Sequence, residues 1–136
     1  MIQNAQLGKE IVVTVTNKIG VLAEMSKLVA EHGINIEAVA GYVEKDNTAK
    51  IILVTNDNLR AIDALKKSGY RSATERETII IELENKPGAL RHITTKLASE
   101  GIDITAIYGT TCTGGCAARI VFSTSNNEKA LVAFKK

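Results

Sequence analysis

Two short phrases in this chain place the same chemistry-bearing residues at the same spacing. Residues 17–22 read Asn-Lys-Ile-Gly-Val-Leu, and residues 85–90 read Asn-Lys-Pro-Gly-Ala-Leu. Each stands after a strand-like run and before a helix-like one. The first N–H groups of a helix lack intrahelical partners, and the aligned peptide dipoles leave partial positive charge there. Gly20 and Gly88 permit backbone angles and close approaches that a side chain forbids. Such a junction suits a carboxylate or a phosphate. Asn17 and Asn85 each offer a donor and an acceptor, so either could hold an ammonium and a backbone group together. Pro87 falls where proline is favoured at a helix start. The same residues also serve as plain punctuation between strand and helix, and Asn is a common N-cap or Asx-turn residue. Both readings stay open on sequence alone.

Further candidates are fewer. Asn35 and its counterpart Asp103 open the strand that follows each first helix, followed by Ile36 and Ile104; turn residues after a helix-ending glycine would look the same. Cys112 and Cys116 stand in Cys-Thr-Gly-Gly-Cys, at a turn between two expected strands. A lone Cys-x3-Cys with no third ligand nearby is a weak metal signal, and we expect no metal. Depending on strand register, the two thiols could form a reversible disulfide. His32 ends a helix, where a cation suits the dipole. His92 lies in a first helical turn on the side expected to face solvent. Neither has a nucleophile or acid at a recognisable spacing, so no catalytic group is assigned and the chain is not read as an enzyme. No phosphate-binding P-loop is written, and no cofactor is expected.

The elements that must position these residues come in two copies. Laid without a gap over residues 79–111, residues 11–43 are identical at 11 of 33 positions. After one inserted residue, 61–67 matches 130–136. In the first copy, 10–16 alternates as a strand and 20–33 carries Val21, Leu22, Met25, Leu28 and Val29 on one helical stripe. Strands follow over 34–43 and 49–55, then a helix over 56–69 and a short strand over 70–76. The order is β-α-β-β-α-β. The second copy repeats it through strand 79–84, helix 88–100, strands 102–111 and 117–124, and helix 126–136, and lacks the last strand. Strand 79–84 is therefore expected to pair with residues 1–9, with 70–76, or with another chain, because an uncovered apolar edge invites association. The fold class is α/β in the α+β sense: two ferredoxin-like βαββαβ sandwiches in tandem, antiparallel sheets with helices on one face. The boundaries are 1–76 and 77–136. Each half is small for independent stability, so duplication could serve a shared core alone.

Bulk properties exclude several classes. Seventeen Lys and Arg against fifteen Asp and Glu, dispersed, make no basic stripe for nucleic acid. The expected central strands carry Val, Ile and Leu rather than base-stacking aromatics. No apolar run reaches the length of a membrane span, and the first ten residues do not read as a secretory signal. Two cysteines are no secreted disulfide framework, and the cytoplasm is the expected location.

The paired phrases, each leading to a helix that ends in Gly33-Ile34-Asn35-Ile36 or Gly101-Ile102-Asp103-Ile104, resemble the ACT domain, a small amino-acid-sensing module. The resemblance spans residues 10–136 and needs two copies, like stand-alone tandem ACT proteins with no attached enzyme. It implies association in pairs, here as a homodimer. It also implies an amino acid or related carboxylate held between units, the strand-to-helix loop of one facing the second strand of the other. It further implies a metabolic enzyme or regulator as partner, or alternatively an adaptor role without ligand. The implied site residues are Asn17, Lys18, Ile19, Gly20, Val21 and Leu22 with Asn35 and Ile36. In the second copy they are Asn85, Lys86, Pro87, Gly88, Ala89 and Leu90 with Asp103 and Ile104. The serine-binding version of the domain carries a histidine where this chain has Val15 and Leu83. Asp103 replaces the second Asn, and Ile19 replaces Pro, so the two sites are not equivalent.

Overall fold

A computed structural model describes residues 2–135. In chain order the elements are β1 (Ile2–Thr16), α1 (Val21–Glu31), β2 (Ile36–Val43), β3 (Thr48–Thr55), α2 (Asn58–Lys67), β4 (Thr74–Leu83), α3 (Ala89–Ser99), β5 (Ile104–Thr110), β6 (Ala118–Thr124) and α4 (Asn127–Phe134). The described residues form two compact units: one is Lys9–Arg76, and the other joins the chain up to Gly8 with the chain from Glu77. Among the described residues no helix is long and apolar enough to cross a membrane.

In the Lys9–Arg76 unit the strands lie in the order β2-β3-β1-β4, β1 contributing Lys9 onward and β4 its first residues. β1 and β3 are antiparallel, with Ile11 opposite Leu53 and Thr16 opposite Thr48, and β3 carries β2 on its other side. The chain of Tyr70–Arg76 closes the sheet beside β1. Ser72 Oγ accepts from the Thr14 N–H at 2.8 Å and donates to the Thr14 carbonyl at 2.9 Å. Arg76 Nε donates to the Glu10 carboxylate at 3.0 Å. The two contacts step in opposite directions along the strands, as antiparallel neighbours do. Ile11, Val13, Leu53, Met25, Val29, Ala61 and Leu65 fill the core between sheet and helices.

The other unit holds β1-β4-β6-β5, and residues 2–8 stand where the second copy has no strand of its own. Ile2 and Ala5 pack on a core of Ile79, Ile81, Leu83, Ile93, Leu97, Phe122 and Phe134. A Cβ on Gly8 would come within 2.5 Å of Ile80 Cδ1, which marks how closely the two strands approach. The expected pairing with residues 1–9 is the one observed over the described residues. Residues 2–8 thus group with the chain from Glu77 rather than with the rest of 1–76, because the edge of β4 needs a partner and β1 is long enough to reach it.

Other differences are local. The strand expected over 10–16 begins at Ile2, and the strands expected over 70–76 and 79–84 are one strand, β4, entered through turns at Tyr70–Ala73. Leu22, placed on the buried stripe of α1, is exposed, as is Leu90 at its place in α3. The buried positions Val21, Met25 and Val29 are four apart, and a residue one step from them is rotated by about 100° around the helix. Asp46 and Asn47 have φ of 58° and 60°, the pair of positive values that a tight type I′ hairpin turn needs between β2 and β3.

Candidate functional site

Each strand-to-helix junction is built as a type II turn that runs into the helix. The Val21 N–H donates to the Lys18 carbonyl at 3.3 Å, and the Ala89 N–H to the Lys86 carbonyl at 3.2 Å. Gly20 and Gly88 occupy the third turn position with φ of 90° and 87°. That conformation requires φ above zero, which explains the glycine in both copies. Pro87 and Ile19 occupy the second position, where the ring of proline pre-sets the backbone. Pro87 therefore sits one residue before the cap, not at the first helical residue expected for it, since α3 begins at Ala89 with Gly88 as N-cap.

Neither helix start has a side-chain cap hydrogen bond, so Asn17 and Asn85 are not the N-caps that one reading allowed. A Cβ on Gly20 or Gly88 would meet nothing within 4 Å. A side chain added at either glycine would thus point into open space. Ile19 is fully exposed at the turn's crest, at 105% of its reference area. Val21 and Ala89 are buried, so they offer backbone rather than side chain. Asn17 is exposed, and its N–H donates to the Asn47 carbonyl at 2.7 Å, which braces the loop against the β2–β3 turn. Val15 and Leu83 are core residues.

Asn35 and Asp103 sit at the opposite end of the intervening helix. The Asn35 N–H donates to Asn56 Oδ1 at 2.9 Å and its carbonyl accepts from the Asn56 N–H at 3.1 Å. Asp103 repeats this with Ser125, through 3.1 and 2.9 Å bonds. Both side chains lie at the surface. α1 and α3 have 11 residues each, about 16 Å at 1.5 Å per residue. Within one unit the loop and the Asn or Asp are therefore not brought together around a small molecule.

Each unit also has a groove beside its loop helix that the sequence did not suggest. Thr14, Thr16, Lys18, Tyr70, Arg71 and Ser72 line one of about 370 Å3. Tyr70 Oη donates to Glu24 Oε1 at 2.5 Å. Burial, then that hydrogen bond and the charge of Glu24, push the Tyr70 hydroxyl up to about 12. In the other unit Gln3, Asn4, His92, Lys96, Phe134 and Lys135 line a groove of about 580 Å3. These residues belong to different elements and share no repeating spacing, so only the fold assembles them. His92 is exposed, as its periodicity predicts. His32 caps α1: its Nδ1 lies 2.8 Å from the Leu28 carbonyl, and its own carbonyl accepts from Arg60 at 2.7 Å. Cys112 and Cys116 are joined as a disulfide at the exposed tip between β5 and β6.

Comparison with known proteins agrees with the duplicated fold. A family model described as an ACT domain pair matches residues 7–135. No curated protein matches the chain. Among solved structures, a protein of Bacteroides thetaiotaomicron is 26% identical with a TM-score of 0.85, covering 96% of this chain and 88% of that one. The ligand-free regulatory subunit of aspartate kinase from Thermus thermophilus is 18% identical with a TM-score of 0.68, covering 97% and 95%. The corresponding subunit from Thermus flavus is 19% identical with a TM-score of 0.63, at the same two coverages. At these identities the two kinase subunits speak for the fold alone.

Proposed function

This chain belongs to the ACT domain pair family, and from that premise we propose that it is a non-catalytic regulatory module binding an amino acid or a related small carboxylate where ACT domains of paired chains meet. The observation that carries the reading is the doubled glycine turn, open to solvent and without a side-chain cap. Backbone N–H groups after Gly20 and Gly88 take the carboxylate. Asn17 or Asn85 holds the amino group. Asn35 or Asp103 of a facing unit completes the site, because the residue at that position in the same unit is a helix length away. Lys18, Ile19 and Leu22 form the rim on one loop and Lys86, Pro87 and Leu90 on the other, each with Ile36 or Ile104 of the facing unit. A carboxylate at Asp103 favours a cationic group more than the Asn35 amide does, so the two sites differ in ligand preference. The ligand acts by favouring one arrangement of a cytoplasmic homodimer over another, and its effect equals its differential affinity for the two.

A thermal-shift screen against the twenty amino acids and several 2-oxo acids tests this. A ligand at ~100 times its Kd stabilises the folded chain by about 2.7 kcal/mol. The shift is expected to vanish in Asn85→Ala or Gly88→Asn, or in the corresponding first-copy variants, and to survive His92→Ala. Gly→Asn suits the test because Asn tolerates the left-handed backbone. The second reading is an adaptor that docks on a partner enzyme without ligand. Exposed Val39, Tyr42 and Val43 on β2 favour it. A panel with no stabilising compound sinks the ligand reading and leaves the adaptor.

A further inference from the structure

The tip of the β5–β6 hairpin departs from its counterpart in the first copy in length and in chemistry. Between Tyr42 and its partner Lys50 the first hairpin turns through Glu44, Lys45, Asp46 and Asn47. Between Thr110 and its partner Arg119 the second is one residue longer and runs uncharged through Thr111-Cys112-Thr113-Gly114-Gly115-Cys116. Every residue of that run is exposed. The Cα atoms of Cys112 and Cys116 are 5.7 Å apart, inside the range a disulfide spans. The Cys116 N–H donates to Cys112 Sγ at 3.2 Å.

Register places this tip beside the candidate loop of its own unit. In the first copy, β1 and β3 pair up to Thr16 opposite Thr48, and one step further the Asn17 N–H bonds the Asn47 carbonyl. In the second, β4 and β6 pair up to Leu83 opposite Ala118. Asn85 follows Leu83 by two residues and Cys116 precedes Ala118 by two, so the loop and the tip leave the same end of that strand pair. At the sequence position of Asn47, whose carbonyl braces the first loop, the second copy carries Cys116.

We propose that Cys112 and Cys116 form a reversible dithiol–disulfide site for a low-molecular-weight disulfide of the glutathione class, and that its redox state governs the order of the Asn85–Gly88 loop. The Cys112 thiolate attacks one sulfur of the small disulfide, forming a mixed disulfide and releasing one small thiolate. The Cys116 thiolate then attacks Cys112 Sγ, closes the protein disulfide and releases the second. The protein loses two protons and two electrons, and the small disulfide gains them as two thiols. Closure removes freedom from the tip, and so from the end of the strand pair at which the Asn85–Gly88 loop begins.

The test uses the full chain without any amino acid, so its outcome is separate from that of the ligand screen. The protein is equilibrated in glutathione buffers of graded potential, alkylated, and read by intact mass and by amide hydrogen exchange. A single transition from two alkylated thiols to none is expected, with no glutathione retained, while Cys116→Ser retains one glutathione on Cys112. Amides of Asn85, Lys86 and Gly88 exchange several-fold more slowly in the oxidised chain, and those of Asn17 to Gly20 are unchanged. Thiols that stay free in the most oxidising buffer, disulfide-linked dimers, or equal exchange at Asn85–Gly88 in both states would each overturn the proposal.

Discussion

Single residues show where this chain tolerates no side chain and why. At Gly20 and Gly88 the obstacle is backbone conformation alone, since an added Cβ meets nothing. Gly20→Ala and Gly88→Ala are each expected to cost about 1–2 kcal/mol, with Asn costing less, read from urea unfolding. At Gly109 the obstacle is space: a Cβ would sit 2.8 Å from the Arg119 carbonyl and 2.4 Å from Ile120 Cδ1. Its counterpart Gly41 would meet only the mobile end of Ile51, at 3.1 Å, and a carbonyl at 3.5 Å. Gly109→Ala should therefore destabilise clearly more than Gly41→Ala, and equal midpoints would contradict the close approach. Tyr70 gives a pH signature. Its hydroxyl is raised from 10.0 to about 12 by burial and by Glu24, so the folded chain keeps a proton that the unfolded chain has lost. Its stabilisation is complete below the unfolded value and drains as pH climbs through the folded one. Wild type should lose its advantage over Tyr70→Phe between about pH 9 and about pH 12, and a constant gap would exclude that linkage.

At the scale of elements, the two copies share ties that hold the second helix to the sheet. Asn58 Oδ1 accepts from the Thr55 N–H and hydroxyl at 3.1 and 2.7 Å, and its Nδ2 donates to the Lys9 carbonyl at 3.0 Å. Asn127 repeats the pattern with Thr124 at 2.9 and 2.8 Å and with the Glu77 carbonyl at 3.2 Å. Asp57 and Asn126, one residue earlier, are the N-caps, accepting from the Arg60 and Lys129 N–H groups. From the second helix, Arg60 and Lys129 reach the carbonyl ends of α1 and α3 at His32 and Glu100. Asn58→Ala or Asn127→Ala strands partly buried groups and should cost about 1–3 kcal/mol. Arg60→Ala or Lys129→Ala removes an exposed cation from a helix end and should cost under about 1 kcal/mol. Denaturant midpoints that reverse this order would refute the assignment.

At the scale of the whole molecule, a strand is shared out by sequence position: β1 serves one unit up to Gly8 and the other from Lys9. Removing residues 1–8 should leave the Lys9–Arg76 core of Ile11, Leu53 and Leu65 intact. It should expose the edge of β4 and raise amide exchange at Ile79–Leu83 well above that at Ile51–Leu53, which hydrogen exchange with fragment resolution reads directly. Uniform acceleration across both units would mean that residues 2–8 do more than complete one sheet.

The repeat, the order of its elements and the two glycine turns were legible in the sequence, because they rest on local causes. Alternating β-branched residues write strands, a stripe four apart writes a helix, and a type II turn selects glycine wherever it occurs. Leu22 was misplaced because an apolar residue at the margin of a stripe looks like one at its centre. Val15 and Leu83 were visible as substitutions for a family histidine, and their burial explains the apolar choice. Three things were decided by tertiary structure alone: which strand completes the second unit, the 16 Å or so that part each loop from its Asn or Asp, and the grooves around Tyr70 and His92. Each depends on contacts between residues far apart in the chain, through strand pairing and helix length, and no local pattern records which distant segment will supply the partner.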